Sequence, residues 1–548
     1  MTLLLVILAL PWTVARAQDL SDGQRRQVDS VFASIDGTGR PGCSVGIGRS
    51  GKPVFLKGYG MSDLQHRLAI TPGSIFHVAS VSKQFAAFAV ALLAEDGTLS
   101  LDDPVQKHIP EVPDYGTPVT LRHLIYHTSG IRDHWELLGL AGWRYPVDLF
   151  TQQDVLDIVS RQKALNFRPN DEYLYSNAGY ALLAMVVERV SGKSLKQFSE
   201  ERIFAPLGMK DTHVHDDHAH VVVDRTSAYQ RGPGGEWKIS IPQFDTHGAT
   251  SLFTTAADLL KWEHNFVTGT VGSRALLTEA ETSSILNNGK PSNYGFGISV
   301  GTYRGARTTG HGGADAGYRA DLLRFPDHNL DVAVLCNFAD AVPSRFSRAI
   351  ASIVLGDQLA PEPVAEKATG TATEADLARA AGIYRDPVAD QVTVVEVKDG
   401  KLVIVNFGNA ALEPLGPTRF TAFGIVVEFL GPIGQPAEAV RLSSGGSVID
   451  SLVRAPPWKP TKAELDAIVG QYWSSEVQSW YRIETADSGL VLKRPKNPPA
   501  PMRPAYQDVF MAGPGTIRMV RQGRKVTGFL ISGGRVRNVS FTRGVPGS

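Results

Sequence analysis

Ser80-Val81-Ser82-Lys83 places a hydroxyl three residues before an amine, at the head of an apolar run that continues to Gly97. Side chains three apart on a helix share a face, so a helix opening here sets Ser80 beside Lys83. A serine hydroxyl becomes a nucleophile when a neighbouring base takes its proton. A lysine amine can be that base once burial lowers its pKa. The N-terminus of such a helix also presents unpaired N–H groups to developing negative charge. Phe85, Phe88, Ala89, Leu92 and Leu93 supply the buried stripe that would hold the helix rigid. Ser160-Arg161-Gln162-Lys163 repeats the pattern. It is expected in the middle of a polar surface helix, so the motif alone identifies nothing.

Tyr175-Ser176-Asn177 ends a loop that begins at Pro169 and leads into a helix predicted from Gly179 to Val190. On such a loop both side chains can turn into one cleft. Tyr175 could relay a proton if a nearby cation lowers its pKa, and Asn177 offers a donor and an acceptor. His311 ends a predicted strand and precedes Gly312 and Gly313, glycines that allow close backbone approach. His127, in His127-Thr128-Ser129-Gly130, is expected to fix a turn by hydrogen bonding. The metal candidate is DTHVHDDHAH at 211–220, with His213, His215, His218 and His220. Its spacing is not that of a closed zinc site, and neither a metal nor a cofactor is expected.

These groups need a scaffold. At 548 residues the chain is too long for one core and predicts two to four domains. Formal net charge is zero with no long basic run, which argues against nucleic acid. Residues 1–17 read as an export signal: the apolar run from Leu3 to Leu10 is too short to span a bilayer, and Ala15-Arg16-Ala17 is a small-x-small cleavage site. No later stretch predicts stable membrane insertion, so a soluble periplasmic or extracellular protein is expected. The two cysteines, Cys43 and Cys336, lie in predicted strands. An oxidising compartment would permit pairing, but pairing needs close α-carbons, and two buried thiols is the favoured expectation. The glycines of Gly46-Ile47-Gly48-Arg49-Ser50-Gly51 match a dinucleotide fingerprint formally. A strand rather than a helix follows, so the segment predicts a hairpin turning at Arg49-Ser50-Gly51. Strand patterns at Thr308–Ala314, Tyr318–Phe325 and Leu330–Cys336 predict an antiparallel meander.

Composition shifts after Leu355. A linker is assigned to 357–373, and two similar units follow, at 374–457 and 458–548. Leu377, Gly382, Tyr384, Asp399 and Leu402 recur 88 residues later as Leu465, Gly470, Tyr472, Asp487 and Leu490. Short alternating strands with glycine turns predict a small closed barrel in each. The loop RPKNPPAPMRP, Arg494 to Pro504, interrupts the second unit. It is expected at the surface, with reach over the catalytic cleft as a hypothesis that would limit substrate length.

Ser80-x-x-Lys83, Tyr175-x-Asn177 and His311-Gly312-Gly313, in that order, resemble the three-motif signature of the penicillin-recognising serine hydrolases. That group holds class C β-lactamases, D,D-peptidases, D-aminopeptidases and β-lactamase-like esterases. HTSG and Tyr294-Gly295-Phe296-Gly297 match accessory segments, and the likeness covers about 25–355. The resemblance implies an α+β fold: an antiparallel sheet with helices on both sides over 18–356, followed by two lipocalin-like antiparallel barrels, an arrangement similar to D-aminopeptidase. It implies that Ser80 forms an acyl-enzyme, that Lys83 and Tyr175 share the general-base role, and that His311 acts with them. It also implies that Asn177, Gly312, Gly313 and Ala314 bind substrate, with the N–H groups of Ser80 and Ala314 as oxyanion hole. The substrate implied is a small D-residue peptide or amide. The alternatives are a carboxylesterase and a weak β-lactamase or penicillin-binding sensor. The third motif departs from Lys-Thr-Gly: a histidine is mostly neutral at pH 7 and Gly312 has no hydroxyl, so efficient β-lactam hydrolysis is not expected.

Overall fold

The computed structural model describes residues 19–362, 370–444, 447–487 and 489–544. The expected export signal at 1–17 and most of the middle of the expected linker, 363–369, lie outside them.

Six antiparallel strands form the central sheet, in the order Ser299–Tyr303, Ala306–Asp315, Tyr318–Phe325, Leu330–Cys336, Cys43–Arg49, Lys52–Tyr59. The predicted hairpin and meander are both present, and they join where Cys43–Arg49 pairs with Leu330–Cys336. That register sets Cys43 directly opposite Cys336, and the two sulfurs are bonded. The expectation of two thiols is therefore corrected. Adjacent antiparallel strands bring the α-carbons to 4.0 Å, a proximity no single-strand pattern reveals.

One face of the sheet is covered by helices Asp22–Phe32 and Pro343–Leu355, which bury Val28, Phe32, Ile350 and Ala351. Helix Ala256–Thr268 lies on the other. A methyl at Gly46 would sit 3.2 Å from Leu260 and 3.3 Å from Ala256, so this glycine lets helix and strand close up. Beyond that helix lies an all-helical region built on Lys83–Glu95 and Asn177–Ser191. From Lys83 to Leu93 every side chain is buried, as expected of a helix apolar all round. The second Ser-x-x-Lys is not mid-helix: its helix ends at Ser160, after burying Val155, Leu156, Ile158 and Val159.

Both C-terminal units are closed eight-stranded antiparallel barrels, Gly382–Arg385 through Ser447–Ala455 and Gly470–Ser474 through Val536–Arg543. The 88-residue period extends to their entrances. Helices Glu374–Ala380 and Lys462–Asp466 begin at capping boxes on Thr373 and Thr461. The buried Tyr384 and Tyr472 each donate to a carbonyl four residues back.

The barrels differ in what they touch. Ile483, Phe529 and Phe541 of the second belong to one apolar cluster with the helical region. The first keeps its own core around Leu402, Phe420 and Phe429 and meets the second at Val392 and Val509. Docking of the second barrel is also polar. Arg132 pairs with Glu476, their side chains 1 % and 4 % exposed. Arg537 grips Glu172 through two bonds of 3.0 and 2.9 Å. The proline-rich loop does not reach the cleft. Ala500–Pro504 is a barrel strand, Pro495 lies against Gly142, and Lys496 approaches Asp148 at 3.5 Å. Among the described residues no helix is long and apolar enough to cross a membrane.

The disulfide ties the two ends of the first domain across 293 residues. Denatured, unreduced protein should take up no thiol reagent. The double variant Cys43→Ala/Cys336→Ala should lose about 2–5 kcal/mol in urea titrations. Labelling of both thiols without reductant would contradict the bond.

Candidate active site

Ser80 sits in a single 3₁₀ turn, Ala79–Ser82, that feeds directly into helix Lys83–Glu95. The predicted shared face holds, although the serine precedes the α-helix rather than lying in its first turn. Ala79 takes the left-handed region at φ 48°, a strained conformation for a residue with a Cβ. Two glycines let neighbouring backbone close on this turn. A methyl at Gly313 would stand 2.2 Å from the Val78 carbonyl oxygen. One at Gly297, itself at φ +69°, would stand 2.5 Å from the Gln84 nitrogen. Strand Ala306–Asp315 is thereby held hard against the residues leading to Ser80, with Ala314 exposed on the cleft wall.

The Lys83 amine is completely buried and has three neighbours: Ser80 Oγ at 3.2 Å, Asn177 Oδ1 at 2.8 Å and the Ala249 carbonyl at 2.6 Å. Burial drives its pKa well below the usual 10.5; the Asp133 charge pulls it back up and the Arg535 charge pushes it further down. A neutral amine has two N–H bonds and one lone pair. The Asn177 oxygen and the Ala249 carbonyl can only accept, so both N–H bonds go to them. In that form the lone pair is left for the Ser80 hydroxyl, whereas an ammonium would donate to Ser80 Oγ. The orientation of the Asn177 amide is fixed from behind, because its Nδ2 donates to Asp133 Oδ2 at 2.8 Å.

Asp133 was not singled out from the sequence. It caps its own helix, His134–Ala141, through the Trp135 N–H. It also accepts the Asn177 backbone N–H at 2.6 Å, placing a carboxylate at the start of helix Asn177–Ser191. Burial opposes its charge. A hydrogen bond from the neighbouring Glu136 carboxyl, the Arg535 charge and the Asn177 N–H outweigh that and keep Asp133 ionised. Burial, and next the Asp133 charge, hold Glu136 protonated. The sequence signal for Asp133 was its N-cap position three residues past the HTSG turn.

Tyr175 lies over this centre, with Lys83 Nζ 4.6 Å from its ring. Burial raises its pKa, only partly offset by Ser80 and Arg535, so a neutral phenol stands where a cation-lowered one was considered. Its buried hydroxyl has no hydrogen-bond partner among the described residues. His127 stacks on the ring at 4.2 Å and accepts the Ser176 N–H at 3.1 Å, the turn-fixing part read from the sequence.

His311 is placed differently from expectation. Its Nδ1–H donates to the Gly312 carbonyl at 2.5 Å, and its Nε2 accepts the Tyr294 hydroxyl at 2.9 Å. Burial lowers its pKa to about 4. It packs behind Tyr175 at 6.1 Å between ring centres, and neither it nor Gly312 and Gly313 line the cleft. Gly312 and Gly313 thus shape the strand, and His311 supplies neither a cation nor a free ring nitrogen.

The cleft has a volume of about 420 Å³, and Ser80, Tyr175, Asn177 and Ala314 all line it. The other wall residues went unrecognised in the sequence, among them Tyr145, Asp315, Arg319 and Arg535. Asp315 is fully engaged: His77 and Thr250 donate to one oxygen at 3.1 and 3.0 Å, and Tyr145 donates to the other. Arg535 comes from the second barrel, on the turn between strands Lys525–Gly533 and Val536–Arg543. The repeat held a signal for it. Eighty-eight residues earlier Ser444-Gly445-Gly446-Ser447 aligns with Ser532-Gly533-Gly534-Arg535, so the arginine is peculiar to the barrel that reaches the cleft.

The histidine tract lies elsewhere. Asp217, His218 and Asp245 bring possible ligand atoms within 4.8 Å of one another, but Asp245 accepts both the backbone N–H and Nδ1 of His218, an internal pairing.

Compared with known proteins, residues 28–355 match the family model described as Beta-lactamase. A D-aminopeptidase of Cereibacter sphaeroides is 27 % identical over 528 residues, covering 92 % of this chain and 96 % of that protein. Among solved structures, the octameric penicillin-binding protein homologue from Pyrococcus abyssi has a TM-score of 0.56 at 24 % identity, over 79 % of this chain and 99 % of that one. The D-amino acid amidase from Ochrobactrum anthropi has a TM-score of 0.53 at 22 % identity, over 62 % and 100 %.

The Lys83 environment sets a pH profile with a defined sign. The rate at which a fluorophosphonate labels Ser80 should rise with pH through an apparent pKa far below 10.5. Removing Arg535's charge (Arg535→Ala) should move that limb up, and removing Asp133's (Asp133→Asn) should move it down. A limb near 10.5, or shifts of the opposite sign, would rule out the neutral amine as base.

Proposed function

Because the chain belongs to the beta-lactamase family, we propose that it is a serine hydrolase working through an acyl-enzyme on Ser80 and cleaving small D-residue peptides or amides. One observation carries the reading: a fully buried Lys83 amine, its pKa driven well down by burial, stands 3.2 Å from Ser80 Oγ and is held there by the Asn177 oxygen and the Ala249 carbonyl. In this mechanism Lys83 takes the Ser80 proton as Oγ attacks the substrate carbonyl. The N–H groups of Ser80 and Ala314 receive the developing oxyanion. The proton passes to the leaving amine by way of the unpartnered Tyr175 hydroxyl, and water later reverses the sequence on the acyl-enzyme. Because Tyr175 starts as a neutral phenol, Lys83 is the base and Tyr175 the relay.

Preference for D-residue peptides and amides is supported by the D-aminopeptidase relative, whose match runs through both barrels and not the catalytic domain alone. Efficient β-lactam hydrolysis is not part of the proposal, since burial keeps His311 from serving as the permanent cation that a lysine would supply. The Cys43–Cys336 bond supports export, disulfides being kept in oxidising compartments.

The test is turnover of a D-alanine anilide, a short-chain nitrophenyl ester and a chromogenic cephalosporin by wild type and Ser80→Ala. The anilide should be preferred, and the variant should lose about 10⁴-fold or more in kcat. Mass spectrometry of quenched wild type should place the acyl group on the Ser80 peptide. Preference for the ester would make the protein an esterase, and turnover independent of Ser80 would remove the mechanism.

A further inference from the structure

The charged groups on the cleft wall are unevenly committed. Asp315 accepts three hydrogen bonds over its two oxygens and is 8 % exposed. Asp133 is fully buried behind Asn177 and accepts from the Trp135 N–H and from the backbone N–H and Nδ2 of Asn177. Asp133 is thus shut off from a ligand, and Asp315 is committed to three donors of the protein itself. Arg319 spends Nη1 on the Ala316 and Tyr318 carbonyls.

Arg535 is different. Its guanidinium donates no hydrogen bond among the described residues. Its nearest acid, Asp133, is 3.7 Å away, and its carbon stands 4.7 Å above the Tyr175 ring. The side chain is 39 % exposed, facing into the cleft that Ser80 opens on. An arginine held by an aromatic face on one side and a distant acid on the other keeps its planar fork of donors free for a bidentate anion.

The backbone around it is built to hold that position. The Arg535 carbonyl accepts from Asn166 Nδ2 at 2.9 Å, and the Arg537 N–H donates to Asn166 Oδ1 at 2.8 Å. One asparagine thus clamps the turn on both sides of the arginine. Arg537 is pinned to Glu172. The side chain of Arg535 is the one cation in this turn that docking leaves unused, and the first barrel has Ser447 at the matching position.

We propose that the cleft selects substrates bearing a carboxylate, and that Arg535, supplied by the second barrel, is the residue that binds it. The proposal rests on the hydrolase reading and narrows it: among small D-residue peptides, the preferred ones carry a free carboxylate at the C-terminus or on a side chain. Arg535 is a specificity residue here. It contacts the substrate's anion and takes no proton in the reaction.

The experiment uses two substrate pairs that differ only in charge: N-acetyl-D-alanyl-D-alanine against its C-terminal amide, and a D-glutamyl against a D-glutaminyl peptide. The readout is the ratio of kcat/KM, acid over neutral, in wild type, Arg535→Ala and Arg535→Lys. Wild type should favour the acid in at least one pair by about 10- to 100-fold, the range for a hydrogen bond to a charged group. That ratio should collapse in Arg535→Ala and partly return in Arg535→Lys. No acid preference in either pair, or a preference that survives Arg535→Ala, overturns the proposal. An equal loss of kcat/KM on both members of each pair, leaving the ratio unchanged, would confine Arg535 to its effect on the Lys83 pKa and also overturn the proposal. Binding of the same four compounds to Ser80→Ala and to Ser80→Ala/Arg535→Ala by calorimetry gives the comparison without turnover. If nothing is hydrolysed but the charge preference in binding depends on Arg535, the hydrolase reading fails and this one stands. If turnover depends on Ser80 with no charge preference, the reverse holds.

Discussion

The site depends on keeping one amine uncharged inside the protein. An ionised lysine with no full counter-charge is expensive to bury, and a group so placed sheds its proton instead. Lys83 is enclosed at the head of a helix buried on all sides, and its two acceptor neighbours, the Asn177 oxygen and the Ala249 carbonyl, accommodate an amine as readily as an ammonium. The nearest full charges work in opposite directions. Asp133 favours the proton and Arg535 disfavours it, while Asp133 and Arg535 face each other at 3.7 Å. The reactive state is therefore set by a balance whose negative half lies in the catalytic domain and whose positive half arrives from the second barrel.

That gives the two barrels unlike parts despite their shared period. Both fold for the same local reasons: a threonine-capped helix, a glycine-started strand and a buried tyrosine tied to the carbonyl four residues back. Repetition explains the architecture and not the use. Among the described residues only the second barrel shares a core with the helical region, and it carries Glu476, Arg535 and Arg537 on the docking side. At the positions 88 residues earlier stand Val388, Ser447 and Ile449. These three positions are where the two copies differ on the docking side.

Most of the framework was readable in order along the chain, because it is local. The hairpin at Arg49-Ser50-Gly51, the meander from Thr308 to Cys336, the helix after Asn177 and the barrel repeat each announce themselves within a few dozen residues. Ser80, Lys83, Tyr175 and Asn177 were legible because their chemistry rests on short spacings joined by one fold. The misreadings all involve long-range contact. Pairing of Cys43 with Cys336 follows from a register between strands almost three hundred residues apart. His311 lies beside Tyr175 with both ring nitrogens bonded, to Tyr294 and the Gly312 carbonyl, partners that its strand position alone did not indicate. The proline-rich loop drew attention by its composition, but the residue that enters the cleft sits on an ordinary glycine turn.

The manner of docking explains why an arginine on a loop tip can serve as a fixed part of a site. The Arg132–Glu476 pair is almost wholly dehydrated. The desolvation of such a pair offsets much of its attraction, so its consequence is registration more than strength. Glu476 also accepts the Lys163 and Ser540 N–H groups at 3.0 and 3.1 Å, so both carboxylate oxygens are spent on this one alignment. A shift of the barrel would leave a buried carboxylate unpaired, break the Arg537–Glu172 fork and release the Asn166 clamp together. Because these penalties fall at once, intermediate positions of the barrel are disfavoured. Arg535 is then held as firmly as a residue on a strand of the catalytic domain, as a preorganised binding group must be. The catalytic unit is in this sense the first domain together with the second barrel, with the first barrel attached outside it.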